Sequence, residues 1–321
     1  MANRHDKEPS KLSLFLNSDL FKGLLPFIGL VVILVVMYYL TNGRIFQPKR
    51  MRLLLSQVYY PMIVATGVFF IMTLGSIDFT EGSTLGVASI VISMLSFYSI
   101  PLAIIGGILT GAAIGAINGF FHVKFKLQSF IVTICTMYLF RGVCAYMTTE
   151  TAIPASAAIK ALDNDALKIS ITVAVLIVAF FLFKFTRIGN DVKAVGSGET
   201  AAVFSGVKTD KVKFLTFVAA GALTGLAAFV NVIKVGSITA TAGNQLETQI
   251  LISLVLGGLP ITGGAKVRFS NIIVGTLMYT VLNNGLVMLG FESATQQLIK
   301  GIVFLIFVAL TIDRKALKVI Q

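Results

Sequence analysis

The chain has 321 residues, of which 56% are hydrophobic and only 12% are charged, whereas soluble domains average about 45–50% and 25%. A chain this apolar cannot bury its side chains in one water-soluble core, so its composition excludes a soluble globular protein. The net charge of +12 lies in short segments between apolar runs. Because membrane proteins place such basic loops on the cytoplasmic side, the charge does not indicate nucleic-acid binding.

Uncharged stretches of about 20 residues predict membrane-spanning helices. We predict an all-α integral membrane protein with about ten transmembrane helices, in a single transmembrane domain covering residues 1–321. The third, eighth and tenth helices are the weakest, because the third is short, the eighth contains two Gly-Gly pairs and the tenth contains Lys300. The predicted spans are 23–41, 54–74, 83–97, 101–121, 127–148, 166–184, 212–233, 248–264, 269–290 and 295–312.

The even number of spans places both chain ends on one side of the membrane. The polar tail 1–22, the C-terminus and the long segment 185–211 are rich in basic residues, so we expect all three in the cytoplasm. The basic loop 44–52 falls on the opposite side in this arrangement. Its orientation is left open, because the charge rule favours the cytoplasm for it too.

Two short segments recur along the chain. Gly75–Gly82 and Gly236–Gly243 share five of eight residues, and each follows a long apolar span. An Asn-Gly pair recurs at Asn118-Gly119 and Asn284-Gly285. The spacing predicts two halves of five helices each, and an odd helix number makes the halves inverted in the membrane.

Catalytic machinery is not predicted. His5 and His122 have no carboxylate or cysteine neighbours at metal-ligand spacing, so neither a metal site nor a cofactor is expected. A phosphate-binding loop of the G-x-x-x-x-G-K-[ST] type is missing from the sequence, so ATP hydrolysis would require a partner. Gly111, Gly115 and Gly119 have the spacing that favours close helix packing.

Polar residues at membrane depth are the candidates for a translocation path, since they are costly there unless they face protein or water. For Asp78 and Arg141, structural pairing and path lining both stay open. For the amides we favour path lining, because neutral hydrogen-bonding groups suit a polar, uncharged solute. The candidates are Asp78, Thr80, Glu81, Asn118, Arg141, Gln245, Glu247, Asn283 and Asn284.

The segment 196–206 encloses a helix-competent stretch between small residues. Composition alone favours a solvated loop. The alternative is a compact knob whose apolar side, formed by Ala201, Ala202 and Phe204, docks into a groove of another protein.

Six collinear segments between about Ala65 and Asp313 resemble permease subunits of ribose-type, simple-sugar ATP-binding-cassette (ABC) importers. Ser76–Ser83 is similar to that family's G-I-D-L-S-x-G-S signature, and Ala194–Val207 is similar to its A-x-G-G-N-x-x-A-A-x-x-S-G-I segment. The other four segments are Ser129–Thr133, Arg141-Gly142, Val255–Gly258 with Gly263-Gly264, and Leu282–Leu286. The chain departs from the family at Ser76, Glu81, Ser197-Gly198, Val203 and Gln249.

The resemblance implies a bacterial inner-membrane permease that translocates a monosaccharide, a ribose-like pentose or a hexose. It also implies a homodimer in contact with membrane lipid, two cytoplasmic ATP-binding subunits, an extracytoplasmic sugar-binding protein and no nucleic acid. It makes 185–211 a coupling loop that seats on the ATPase. The coupling residues it implies are Gly196, Glu199, Ala201, Ala202, Ser205 and Gly206.

A second hypothesis is an ion-coupled secondary transporter of a small polar solute. In that interpretation Asp78, Glu81, Glu247 and Arg141 form a proton or sodium relay within the spans. A channel or a purely structural membrane protein is the third hypothesis.

Overall fold

A computed structural model describes residues 19–311. Most of these residues are helical, and the only strands among them are β1 (Ile153–Pro154) and β2 (Ser237–Ile238), which pair antiparallel. A 3₁₀ turn covers Arg44–Phe46. The predicted tail up to residue 18 and the end of the chain from residue 312 lie outside the described residues. The helices are α1 (Asp19–Leu40), α2 (Pro48–Ser56), α3 (Tyr59–Thr73), α4 (Glu81–Leu95), α5 (Ile100–Lys124), α6 (Ser129–Met147), α7 (Ala157–Lys160), α8 (Asp165–Phe185), α9 (Arg187–Ser197), α10 (Glu199–Phe204), α11 (Thr209–Val235), α12 (Leu246–Leu256), α13 (Ser270–Met288) and α14 (Ser293–Thr311).

Every predicted span corresponds to an observed helix, so the all-α membrane fold is confirmed. Six helices in the described part of the chain are long and apolar enough to cross a membrane, and α2 with α3 forms a seventh, bent by 40°. The three remaining apolar helices are α4, α12 and α14. They are the third, eighth and tenth predicted spans, the ones with the weakest signal.

The eighth predicted span, 248–264, is corrected by the structure. The helix there, α12, has 11 residues and ends at Leu256, because the next residues are Gly257 and Gly258, and Gly258 has a positive φ of 88°. Eleven residues extend about 16 Å, roughly half of the ~30 Å hydrocarbon layer. The predicted loop 185–211 is also mostly helical, since α9 and α10 occupy most of it.

At the centre of the bundle, α11 packs antiparallel against both α3 and α5. Gly67 of α3 lies against Ala220 of α11. Along α5, Gly107, Gly111 and Gly115 face in turn Gly225, Gly221 and Phe217 of α11, with backbone atoms in close approach. The predicted packing role of the α5 glycines is therefore confirmed at Gly111 and Gly115, where no side chain would fit.

The antiparallel arrangement separates two ends of the bundle. At one end, called the α10 end, Gly196 packs against the carbonyl of Thr73 and the backbone nitrogen of Gly264. At the other, called the ribbon end, lie β1 and β2, and there Lys234 Nζ donates to the carbonyl of Ser56 at 3.2 Å. The basic loop 44–52 belongs to the ribbon end, since Arg52 Nε pairs with Asp165 Oδ2 at 2.8 Å.

The internal repeat extends over four helices in each half. The series α3, α4, α5, α6 matches α11, α12, α13, α14, and in both series a non-helical break separates the first helix from the second. Corresponding helices also make corresponding contacts: α4 packs on α5, α6 and α11, and α12 packs on α13, α14 and α3. The remaining pair differs, because α1 packs on α13 whereas α8 packs on α3.

Candidate translocation site

Two breaks in the central helices form the candidate site. The first break, residues 74–80, follows α3 at the α10 end, and the second break, residues 236–245, follows α11 at the ribbon end. Each break leads into a short helix, α4 or α12, that turns back into the bundle. The breaks therefore start at opposite ends, as expected for inverted halves of a transporter.

The two short helices meet at their first turns. Gly82 lies against the carbonyl of Gly243 and the carboxylate of Glu247, and Gly243 has a positive φ of 70°. Glu81 and Glu247 both sit in the first turn of their helices, where the positive end of the helix dipole stabilises a carboxylate. The sequence repeat thus marks the point where the two halves touch.

A chain of buried hydrogen bonds holds the first break. Thr80 donates to Asp78 Oδ1 through its backbone nitrogen at 2.7 Å and its hydroxyl at 2.6 Å. Asn118 Nδ2 donates to the Thr80 hydroxyl at 2.9 Å, and the Thr136 hydroxyl donates to Asn118 Oδ1 at 2.7 Å. These four side chains are at most 8% exposed. Asp78 is therefore paired inside the protein, one of the two roles open for it.

Glu81, the first residue of α4, is a second buried carboxylate next to the first break. Its Oε2 accepts a hydrogen bond from the Thr224 hydroxyl of α11. Its Oε1 is buried and has no partner within the described residues. A buried carboxylate oxygen without a partner is costly, so the hydrogen bonding of Glu81 is incomplete within the described residues.

Arg141 joins the two halves from α6. Its Nη2 pairs with Glu247 Oε2 at 3.3 Å and lies 3.5 Å from the Gly243 carbonyl, and its Nη1 lies 3.5 Å from Asn244 Oδ1. The Arg141 side chain is 23% exposed and that of Glu247 is 11% exposed. The guanidinium is thus paired across the second break while part of it still faces open space.

Of the remaining path candidates, Asn283 and Asn284 lie apart from this cluster, whereas Gln245 adjoins it, two residues before Glu247. Asn284 Nδ2 donates to Gln57 Oε1 at 3.0 Å, and Asn283 Oδ1 accepts from Lys300 Nζ at 3.0 Å. Gln245 is exposed at the start of α12 with a positive φ of 64°. A cavity of about 250 Å³ opens beside Asn283, and all of its lining side chains are polar: Gln57, Tyr60, Lys234, Gln249, Tyr279, Thr280 and Asn283.

Thr136 and Thr224 are the partners that the sequence did not reveal. Glu81 and Thr224 are 143 positions apart, and isolated threonines are common in apolar helices because their hydroxyls bond to the preceding turn. No local signal distinguishes these two from the rest.

The predicted coupling segment, residues 196–206, contains a short helix, α10, between Gly198 and Gly206. Ala202 is buried against Leu74, Val192 and Val195, so it anchors the helix to the bundle and does not face outward. Phe204 is 87% exposed. The outward apolar surface of α10 is therefore formed by Phe204 and Val203, with the exposed Ala201 beside them.

Polar contacts fix the rest of the segment. Glu199 pairs with Lys213 Nζ at 2.6 Å, and the Ser205 hydroxyl donates to the Ala201 carbonyl at 3.0 Å. Gly206 has a positive φ of 82°, and its nitrogen donates to the Val203 carbonyl at 2.9 Å. These contacts close the turn after α10.

The α9–α10 unit touches the first break. Gly196 packs on the end of α3, and the Gly264 nitrogen donates to the Thr73 carbonyl at 3.0 Å. Thr73 is the last residue of α3, and Asp78 follows five residues later. The α9–α10 unit thus contacts the chain only five residues before the buried Asp78.

The helical bundle with two short helices, α4 and α12, meeting inside it is that of a multi-pass membrane permease. The chain belongs to the family described as branched-chain amino acid transport system / permease component, which matches residues 51–308. It is a transport component rather than an enzyme.

Several curated proteins are similar to this chain over most of their length. It is 33% identical over 300 residues to the ribose import permease protein of Bacillus subtilis, covering 90% of this chain and 92% of that one. It is 30% identical over 274 residues to the ribose import permease protein of Escherichia coli K12, covering 82% and 84%. The D-allose transport system permease protein of the same strain is 30% identical over 286 residues, covering 86% and 85%. No solved structure matches the chain.

Proposed function

We propose that this chain is the membrane-spanning subunit of an ABC importer for a monosaccharide. Two copies of it would form one pathway with two ATP-binding subunits on the cytoplasmic side and a sugar-binding protein on the other. The observation that carries the solute class is the polar lining of the 250 Å³ cavity, together with relatives named for ribose and allose.

The lining of the cavity supports a sugar rather than the amino acids in the family's description. A branched-chain amino acid requires a carboxylate for its ammonium group and an apolar wall for its side chain. The lining offers two glutamines, one asparagine, one threonine, two tyrosines and a lysine, but neither a carboxylate nor an aliphatic side chain. Hydroxyl, amide and phenol groups are the hydrogen-bonding partners that a polyol needs.

The ion-coupled alternative is not favoured by the relatives, and the carboxylates give a further reason. Asp78 is satisfied by Thr80, and Glu247 is paired with Arg141. A relay needs carboxylates that exchange protons or ions with open paths, and the described geometry instead pairs each of these two within the protein.

Reconstitution in vesicles tests the solute and the energy source together. The complete complex should take up ribose or a related monosaccharide when ATP is enclosed, and ATPase turnover should rise with the loaded binding protein. Leucine should neither enter nor stimulate. Uptake driven by a proton gradient without ATP would support the secondary transporter, and uptake of leucine would reject the sugar assignment.

The α10 end is proposed as the cytoplasmic, ATPase-facing end. Movement of α10 would be transmitted through Gly196 and Thr73 to the first break, and the two inverted halves would then expose the site to alternate sides. Both chain ends are proposed to lie in the cytoplasm, in agreement with the basic residues of 185–211.

Two proline variants test this coupling with a matched control. Gly206→Pro removes the hydrogen bond to Val203 and imposes a φ near −65° where the backbone has +82°. Gly290→Pro makes the same change in a turn with φ of 79° and a bond to Val287 after α13. We expect Gly206→Pro to abolish uptake while the protein still inserts, whereas Gly290→Pro retains most of it.

Charge reversal at Glu199 provides an independent variant. Glu199→Arg replaces the pair with Lys213 by two like charges, and uptake should again be lost with insertion intact. Normal uptake in both Gly206→Pro and Glu199→Arg would reject the coupling role of this segment.

A further inference from the structure

A large groove runs along the outside of the bundle beside the coupling segment. It measures about 1030 Å³ and lies between α3, α8, α11 and the turn that follows α10. Its walls are small or aliphatic side chains of two membrane-crossing helices, such as Ala174 and Val178 of α8 and Ala219 and Leu223 of α11. A slot of this kind accepts an extended apolar chain.

Charged residues lie only at one end of the groove, the α10 end. Arg187, Lys208 and Lys211 line it there, and Asp191 is the only carboxylate among the lining residues. All three cations are exposed, and within residues 19–311 none of them forms an ion pair or a side-chain hydrogen bond. The groove therefore combines a long apolar slot with an unpaired cationic mouth.

We propose that this groove binds an anionic phospholipid of the surrounding leaflet. Its acyl chain would lie between α8 and α11, and its phosphate would be held by Arg187, Lys208 and Lys211. Basic pockets between transmembrane helices bind anionic headgroups in this way, and each basic residue near the membrane surface adds to the attraction. A zwitterionic lipid would fill the slot but would gain little from the cationic mouth.

The bound lipid would also stabilise the position of the coupling segment. Ser205 and Gly206 line the same groove, and they close the turn after α10. An occupant therefore contacts the turn and the two helices at once. This inference rests on the membrane placement of α8 and α11 and is independent of which solute is carried.

Two matched pairs of lysines test the binding site. Lys208→Gln/Lys211→Gln removes two charges from the mouth, and Lys124→Gln/Lys126→Gln removes two exposed charges from the same end of the bundle outside the groove. Native mass spectrometry of the full chain in detergent, titrated with phosphatidylglycerol or phosphatidylcholine, measures the affinity. We expect about tenfold weaker phosphatidylglycerol binding in the first variant and no change in the second.

A variant of unchanged charge tests the slot. Ala219→Phe places a large ring in the groove from an exposed position, so it should weaken phosphatidylglycerol binding without affecting the fold, which thermal unfolding checks.

Equal affinity in both lysine variants would assign the lipid effect to general surface charge and overturn the proposal. So would a disulfide between two copies of Ala219→Cys made in a Cys135→Ser background, because Cys135 is exposed and the bond would place a second copy in the groove. Neither sugar nor ATPase is present, so failure here leaves the proposed import function untouched.

Discussion

The two breaks occupy equivalent places in the two halves, but their side chains make different contacts. The first break, 74–80, places Asp78 and Thr80 in a buried hydrogen-bonded chain that continues to α5 and α6. The second break, 236–245, has Thr239 and Thr241 at the corresponding positions, and those hydroxyls are 3.1 Å apart and contact each other at an exposed site. The first break is thus held by a buried side-chain network, whereas the second is held by the backbone pairing of β2 with β1 and by the contacts of Arg141.

This difference indicates a division of roles within a symmetric frame. Buried polar networks that are fully paired rigidify the structure around them, whereas segments with few buried contacts open at low free energy. We infer that the first break acts as the fixed half of the site and the second as its movable half. The predictions below test that comparison.

The strongest test is the contact between the halves at Gly82. A methyl group there would overlap the Gly243 carbonyl and the Glu247 carboxylate, so Gly82→Ala forces the two short helices apart. We expect uptake to fall to background and the free energy of unfolding to drop by about 1–3 kcal/mol, as for other overpacked sites.

Gly142→Ala is the matched control for that variant. Gly142 is in α6, one residue from Arg141, and a methyl group there meets nothing within 4 Å. Stability should stay equal or rise, since alanine favours the helix, and uptake should persist. Wild-type uptake by Gly82→Ala would show that the halves need not touch.

A smaller effect is expected from the recurring asparagines, Asn118 and Asn284. Asn118→Leu removes both a donor to Thr80 and an acceptor for Thr136 at a fully buried site, so unfolding free energy should fall by about 1–3 kcal/mol. Asn284→Leu loses the bond to Gln57 at a partly buried site, and should cost less than about 1 kcal/mol. Thermal unfolding in detergent measures both.

Uptake kinetics should also distinguish Asn284→Leu from Asn118→Leu. Asn284 neighbours the polar cavity through Thr280 and Gln57, so Asn284→Leu should raise the KM for uptake while leaving the maximal rate. An equal loss of stability in both variants would mean that the second half is as tightly bonded as the first.

Much of the helical arrangement could be predicted from the sequence, because the residue patterns that indicate it are local. The repeated Gly-Ser-Ile segments mark the two breaks, since both Gly75 and Gly236 adopt a positive φ, 76° and 74°, at the end of a long helix. Helix lengths also follow from uninterrupted apolar runs. The eighth span was wrong beyond Leu256 because apolar residues continue past Gly257-Gly258, and hydropathy alone does not mark a helix end.

The contacts across the bundle were not predictable in the same way. The inward position of Ala202 depends on the packing of α9 and the first break, and composition does not show which face of a six-residue helix is buried. The bond between Glu81 and Thr224 joins two halves of the chain. Such pairings follow from tertiary structure, for which a single sequence carries no local pattern.

The smallest effect is expected from a change at Gln245, in the second break. This change tests whether the Gln245 side chain contacts the solute. Gln245 is exposed with φ of 64°, and Asn42 is a second exposed amide residue with a positive φ, 50°, away from the site. Glycine relieves the backbone at both positions but loses more freedom on folding, so Gln245→Gly and Asn42→Gly should each match the wild-type free energy of unfolding to within about 0.5 kcal/mol. If the second break faces the path, only Gln245→Gly should lower uptake, by a few-fold, because a hydrogen-bonding amide is lost there without loss of structure. Unchanged uptake in both would move the path away from the second break and toward the cavity beside Asn283.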